Sequence, residues 1–150
     1  MNIALIGLGS MGYNLAKNMV SKNYQVNAFE KNMLIVENIK NDNIQNLYLL
    51  NSIQDLVDKT PSPRIIMLSL PADKIDKCIN DLIDHLNPTD IIADLGNSLY
   101  LKSMEREKLL SRFNISFLGI GVSGGPRGAK NGPAIMAGGS KNAWEKVKNI

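Results

Sequence analysis

A single cysteine, Cys78, rules out a disulfide within the chain, and a single histidine, His85, leaves no plausible zinc cluster. Both scarcities fit a reducing cytoplasm, which is the expected location. Cys78 lies in DKIDKCINDLI, where the apolar spacing predicts an amphipathic helix and makes the thiol a small packing group. His85 has neither a serine nor a cysteine in a nucleophile setting and is expected on a helix surface. No run of about 18 apolar residues occurs, so no membrane-spanning helix is expected. The opening MNIALIGLG lacks a basic leader and a cleavage site, and reads as a buried strand rather than a signal peptide. Lysines are scattered and the net charge is only +3, which disfavours a nucleic-acid partner but leaves a local positive field for anionic ligands. Internal repeats, low-complexity tracts and interdomain linkers are absent as well.

What is present suits one globular domain over residues 1–150. Hydrophobic residues make up 44% and charged residues 21%, far from the composition of a disordered chain, and a chain this long buries roughly two thirds of its unfolded surface. The apolar run NIALIG predicts a strand, YNLAKNMVSK a helix with Leu15, Met19 and Val20 on one face, and YQVNAFE a second strand. Further along, LIVENIKN reads as a helix, LYLL as a weak strand, and IQDLVDK as a helix capped by Asn51 or Ser52. TPSP stops that helix before the strand RIIMLSL. Pro71 and Asp73 open the next helix, with Ile75, Ile79, Leu82, Ile83 and Leu86 at spacings of three and four. The strand DIIADLG, the helix LKSMEREKLLSRF and the strand ISFLGIGV complete the alternation. Such a succession of βα units predicts a doubly wound, mainly parallel sheet with helices on both faces.

Within the first unit, IGLGSMGYNL places Gly7, Gly9 and Gly12 in the pattern G-x-G-x-x-G. Between a strand and a helix, that spacing serves a tight turn, a backbone approached closely by a pyrophosphate, and close helix packing. Leu8, Ser10 and Met11 complete the turn, and the helix dipole favours phosphate there. Glu30, 18 positions after Gly12, stands where a carboxylate can accept hydrogen bonds from an adenosine ribose and disfavour a 2′-phosphate. Its neighbour Lys31 can instead pair with that phosphate, so the two residues argue for opposite cofactors.

A second glycine-rich stretch, GIGVSGGPRGAKNGPAIMAGGS over residues 119–140, leaves little room for an ordinary helix and lets backbone approach a ligand. Ser123 offers a hydroxyl, and Gly124 and Gly125 can aim amides at an anion. GVSGG followed by GA, GP, M and GG resembles the substrate-side signature of the 6-phosphogluconate dehydrogenases, within the β-hydroxyacid dehydrogenase superfamily. DIIADLGNS resembles that family's segment ending in Asp-Gly-Gly-Asn, and IALIGLGSMGYNLAKNM its cofactor turn, in order from residue 2 to about residue 150.

The resemblance implies a Rossmann-type domain with Gly7 to Gly12 around the pyrophosphate of NADP, or alternatively NAD. It places Glu30, Lys31 and Asn32 in the adenosine-ribose loop and Ser69, Leu70 and Pro71 in a second cofactor-contact loop. Asn97 would stand between nicotinamide and a sugar phosphate, and Ser123, Gly124 and Gly125 would line the 6-phosphogluconate site. Four departures from the family pattern bear on this. Glu30 and Lys31 stand for a neutral residue and an arginine, Leu70 and Pro71 for Lys-Ala, Leu95 for a glycine, and Pro126 with Arg127 for an acidic pair.

The family's reaction is oxidative decarboxylation of 6-phosphogluconate to ribulose 5-phosphate in the pentose phosphate pathway. Its catalytic lysine and glutamate, and much of its homo-oligomer contact, belong to a long helical domain that these residues do not include. The chain therefore reads as the cofactor-binding part, cut off within a longer protein and not competent alone, with no catalytic residue of its own. Lys102, Lys130 and Asp94 are candidate bases by type only, and Asp94 is expected to fix its local turn. A stand-alone nucleotide-binding or regulatory module and a related β-hydroxyacid dehydrogenase are the alternatives.

Overall fold

Continuous apolar runs become strands here because both faces of the sheet are covered. A computed structural model describes residues 2–150. Its elements are β1 (Asn2–Ile6), α1 (Ser10–Ser21), β2 (Val26–Phe29), α2 (Met33–Asn41), β3 (Leu47–Leu50), α3 (Ile53–Asp58) and β4 (Arg64–Leu68). They continue with α4 (Ala72–Ile83), β5 (Ile91–Asp94), α5 (Tyr100–Ser111), β6 (Ser116–Ser123), α6 (Gly125–Asn131), β7 (Ala134–Gly139) and α7 (Lys141–Val147). The strands form one sheet in the order β3-β2-β1-β4-β5-β6-β7, parallel throughout except for the antiparallel edge pair β6 and β7. From β1 the chain winds outward through β2 and β3, then returns to β4 on the other side. That reversal is the topological switch at which such sheets hold ligands. The doubly wound, mainly parallel Rossmann-type sheet expected from the alternation is the one found.

Strand alternation divides the core in two. Ile3, Leu5, Ile65 and Met67 pack with Ala16 and Met19 of α1, Ile39 of α2 and Val147 of α7. Ala4, Ile6, Ile66 and Leu68 pack with Leu56 of α3, Ile75, Ile79 and Leu82 of α4 and Leu110 of α5 on the opposite face. Among the two capping candidates before α3, Ser52 does the work, its Oγ accepting the Asp55 N–H at 3.0 Å. No helix among the described residues is long and apolar enough to cross a membrane.

Cys78 sits inside the second cluster at 6% exposure, and burial pushes its thiol up to about 12. At pH 8 a maleimide should therefore modify the native chain about 100-fold more slowly than the urea-unfolded chain. Comparable rates would show that α4 opens readily.

The stretch 119–140, with little room for an ordinary helix, holds one short helix, GPRGAKN as α6, between strands β6 and β7. Pro126 falls in its first turn, where a missing N–H costs nothing, and Gly124 enters the left-handed region just before it. Tertiary contact supplies the rest: Ala129 is fully buried, and Asn18 of α1 donates from Nδ2 to the Lys130 carbonyl at 2.8 Å.

Candidate functional site

The parallel register brings four strand ends level. Phe29 pairs with Ile6, Ile6 with Leu68, and Leu68 with Asp94. One residue further on, Gly7 N–H donates to Phe29 O at 2.9 Å, Ser69 N–H to Ile6 O at 2.8 Å and Leu95 N–H to Leu68 O at 2.9 Å. The ladder thus runs past the strands and ties the turns after β1, β4 and β5 to their neighbours. Residues scattered along the chain at 7–12, 30–32, 69–71 and 97 therefore share one rim of the sheet.

Gly7 and Gly12 make the first turn possible. Gly7 has φ of +92°, and a Cβ there would fall 2.3 Å from Ser69 O. At Gly12 a Cβ would fall 2.0 Å from Gly7 O, so α1 can start this close to β1 only without one. Gly9 differs: its φ and ψ of −60° and −173° suit any residue, and its Cβ would meet nothing within 4 Å. As the N-cap of α1 it also provides no side-chain acceptor, so the first-turn amides have no side-chain cap. Open space over an uncapped, 12-residue helix start suits a pyrophosphate.

The remaining residues of this turn divide. The Leu8 side chain is buried in the core at 1% exposure, so only its backbone borders the rim. Met11 packs against the same core, while Ser10 is exposed. Glu30 follows β2 and spans the gap, Oε2 accepting Leu8 N–H at 2.7 Å and Oε1 accepting Asn32 N–H at 2.9 Å. Asn32 is occupied as the N-cap of α2, its Oδ1 accepting Leu34 N–H at 3.0 Å. Lys31 is exposed.

The turn after β5 is the most tightly held. Asp94 Oδ1 accepts Gly96 N–H at 2.8 Å, and Oδ2 receives Arg106 Nη1 at 2.7 Å. The same Nη1 reaches Ser98 Oγ at 2.7 Å, and Arg106 Nε donates to Asp76 at 2.6 Å. That hydrogen bond holds the Asp76 carboxyl below the usual carboxylate range. Asn97, at φ of +54°, accepts Val122 N–H on Oδ1 at 2.9 Å and sends Nδ2 toward Val122 O at 3.4 Å. The amide expected to hold a sugar acid is thus a clamp onto β6, with one Nδ2 hydrogen left for a ligand. Immediately beyond lie Ser123, Gly124 and Gly125, all exposed, with the two glycines at φ of +119° and +60°. Leu70 O lies 2.6 Å from where a Gly96 Cβ would be, so the 69–71 and 94–97 turns touch, and Pro71 starts α4.

Asp94 fixes its turn, as its place in the sequence suggests. Lys102 pairs with Glu105 at 2.7 Å, and Lys130 is exposed on α6. Arg106 escapes a reading by motif, although one signal exists: with Ser103 and Leu110 it falls at spacings of three and four on one helical face, a charge in an inward position. A cleft of about 400 Å³ opens beside Asn97, between α5 and the β6–β7 pair, walled by Tyr100, Met104, Gly119, Gly121 and Gly138. It adjoins the rim rather than the glycine turn. Among the described residues no three histidine, cysteine or acidic side chains are grouped to hold a metal ion.

A family model described as the NAD binding domain of 6-phosphogluconate dehydrogenase matches residues 2–150. The decarboxylating 6-phosphogluconate dehydrogenase of Buchnera aphidicola subsp. Acyrthosiphon pisum is 40% identical over 147 residues, covering 97% of this chain and 31% of its own length. That of Staphylococcus aureus strain N315 is 41% identical over 153 residues, covering 99% and 32%. The chain spans about a third of the length of these relatives. Among solved structures, a Plasmodium falciparum 6-phosphogluconate dehydrogenase, studied apo, with NADP+ and with 6-phosphogluconate, superposes with a TM-score of 0.92 at 33% identity, over 99% of this chain and 33% of its own.

Proposed function

Because the chain belongs to the family of NAD binding domains of 6-phosphogluconate dehydrogenase, we propose that it binds a nicotinamide dinucleotide, NADP or NAD, for the oxidative decarboxylation of 6-phosphogluconate. The carrying observation is the α1 start, where Gly9 leaves open space over uncapped amides. Ser10, Met11 and Gly12 N–H groups would receive the pyrophosphate, and Glu30 with Lys31 would meet the adenosine ribose. Leu70 and Pro71 would line the path toward the nicotinamide, with Asn97 at its far end. Ser123, Gly124 and Gly125 would take the sugar acid from the β6 side. A dinucleotide held there would supply the hydride acceptor for oxidation of a substrate carbinol.

The chain's own part is binding and orientation. Asp94 is held on both oxygens, Lys102 is paired on the surface, and Lys130 is exposed on α6, so none is poised as a base. Proton transfer is proposed to come from a helical domain of the kind the family carries, and the working protein is proposed to be a homo-oligomer in the cytoplasm. Exposed Leu99, Tyr100, Leu101 and Met104 at the start of α5 support a covered face there.

Calorimetric titration of the chain with NADP and NAD, beside an assay for reduced cofactor formed from 6-phosphogluconate, tests both parts. The expected result is binding without turnover. Binding of neither dinucleotide would overturn the cofactor reading, and turnover by this chain alone would overturn the division of labour.

A further inference from the structure

The sequence sets Glu30 against Lys31, and the structure weighs them unequally. Glu30 lies one residue beyond the end of β2, level with the glycine turn. Both of its oxygens are fixed by backbone amides, from Leu8 at 2.7 Å and Asn32 at 2.9 Å. No side-chain cation among the described residues pairs with it. Its charge is therefore neither neutralised nor free to swing away. A carboxylate offers about four acceptor positions, and two are used, which leaves acceptors for hydroxyl donors arriving at the rim.

In a sheet of this topology a dinucleotide whose pyrophosphate sits on the α1 start lays its adenosine ribose toward the end of β2. Resting on the dinucleotide reading above, we propose that Glu30 makes this chain select NAD over NADP. A ribose 2′-hydroxyl donates to the anchored carboxylate. A 2′-phosphate brings a charge of about −1.5 to −2 to the same place, and cannot displace an acid held by the Leu8 amide of the glycine turn and the Asn32 amide of its own.

Lys31 does not reverse this. Its exposed, flexible ammonium must give up side-chain freedom and hydration to meet a phosphate, and does so as a point charge rather than a bidentate fork. Asn32 caps α2 with its carbonyl, and its neutral Nδ2 can donate to a ribose hydroxyl or a phosphate alike, so it does not decide between them. The fixed group costs nothing to order, so its preference prevails.

Equilibrium titration of the 150-residue chain with NAD and with NADP is expected to show NADP weaker by about tenfold or more, the worth of one hydrogen bond to a charged group. Glu30→Gln keeps an acceptor for Leu8 while removing the charge, and should lower that ratio about tenfold, chiefly by improving NADP. Lys31→Ala should move the ratio by less than about threefold. Thermal unfolding of each variant checks that the turn survives, and the wild-type ratio is informative without any variant. NADP binding as tightly as NAD to the wild type, or an unchanged ratio in a folded Glu30→Gln, would overturn the selection. Binding of neither dinucleotide is a different result, which would remove the cofactor reading and this inference with it.

Discussion

Gly12→Ala is expected to destabilise the chain by about 3 kcal/mol or more, at the top of the range for overpacking. Its Cβ would stand 2.0 Å from the Gly7 carbonyl oxygen, 3.0 Å from the Gly7 carbonyl carbon and 3.1 Å from Ser69 Cβ. The nearest obstacle is backbone inside a hydrogen-bonded turn, so no rotamer change relieves it. Only a shift of α1 away from β1 can do so, and that opens the packing of Ala16 and Met19 against Ile3 and Leu5. Gly9→Ala should behave in the opposite manner. Its backbone angles suit alanine and its Cβ meets nothing within 4 Å, so stability should stay within about 0.5 kcal/mol of wild type. Dinucleotide affinity should nevertheless fall about tenfold or more, because the methyl group fills the space through which a pyrophosphate reaches the α1 amides. Urea unfolding and calorimetry on the same two variants separate the roles. A Gly9→Ala chain that binds as wild type would place the phosphates elsewhere, and a fully stable Gly12→Ala would contradict the packing.

This contrast explains which features were readable in advance. Strands buried on both faces write themselves as NIALIG, RIIML and IIAD, because their central positions are continuously apolar, and the alternation with amphipathic helices leaves few other topologies. The glycine turn is legible because its demands are local: a positive φ at Gly7 and a contact five residues away at Gly12 depend on the chain immediately around them. Glu30 is legible as a type at a spacing. Its anchoring is not, since that depends on Leu8, 22 positions earlier, being brought level by strand pairing. The Asn97 clamp on Val122 has the same origin, as does the helical state of GPRGAKN, which rests on contacts with α1. Local composition opposed that helix, and packing decided it.

Arg106→Ala is expected to cost about 3–5 kcal/mol, the usual penalty for leaving a buried charge without its partner. Asp94 is 1% exposed and would keep only the Gly96 amide. A second buried pair gives the comparison: Arg64 Nε lies 2.9 Å from Asp90 Oδ2, with neither side chain exposed, although its N–H is not aimed to donate. Asp90 also accepts from Ser62, Arg64 N–H and Asn87 N–H, at the opposite ends of the strands from the rim. Losing that pair should lower stability alone. Losing Arg106 should also release the turn that carries Asn97, so amide exchange at 95–98 should accelerate more than global unfolding requires. The double variant Arg106→Ala, Asp94→Asn decides whether charge is the cause. Removing the stranded carboxylate should make it more stable than Arg106→Ala alone, an interaction of opposite sign to simple addition. If the two losses merely sum, Arg106 acts through its packing, and the turn that holds Asn97 is set by the Gly96 and Val122 hydrogen bonds instead.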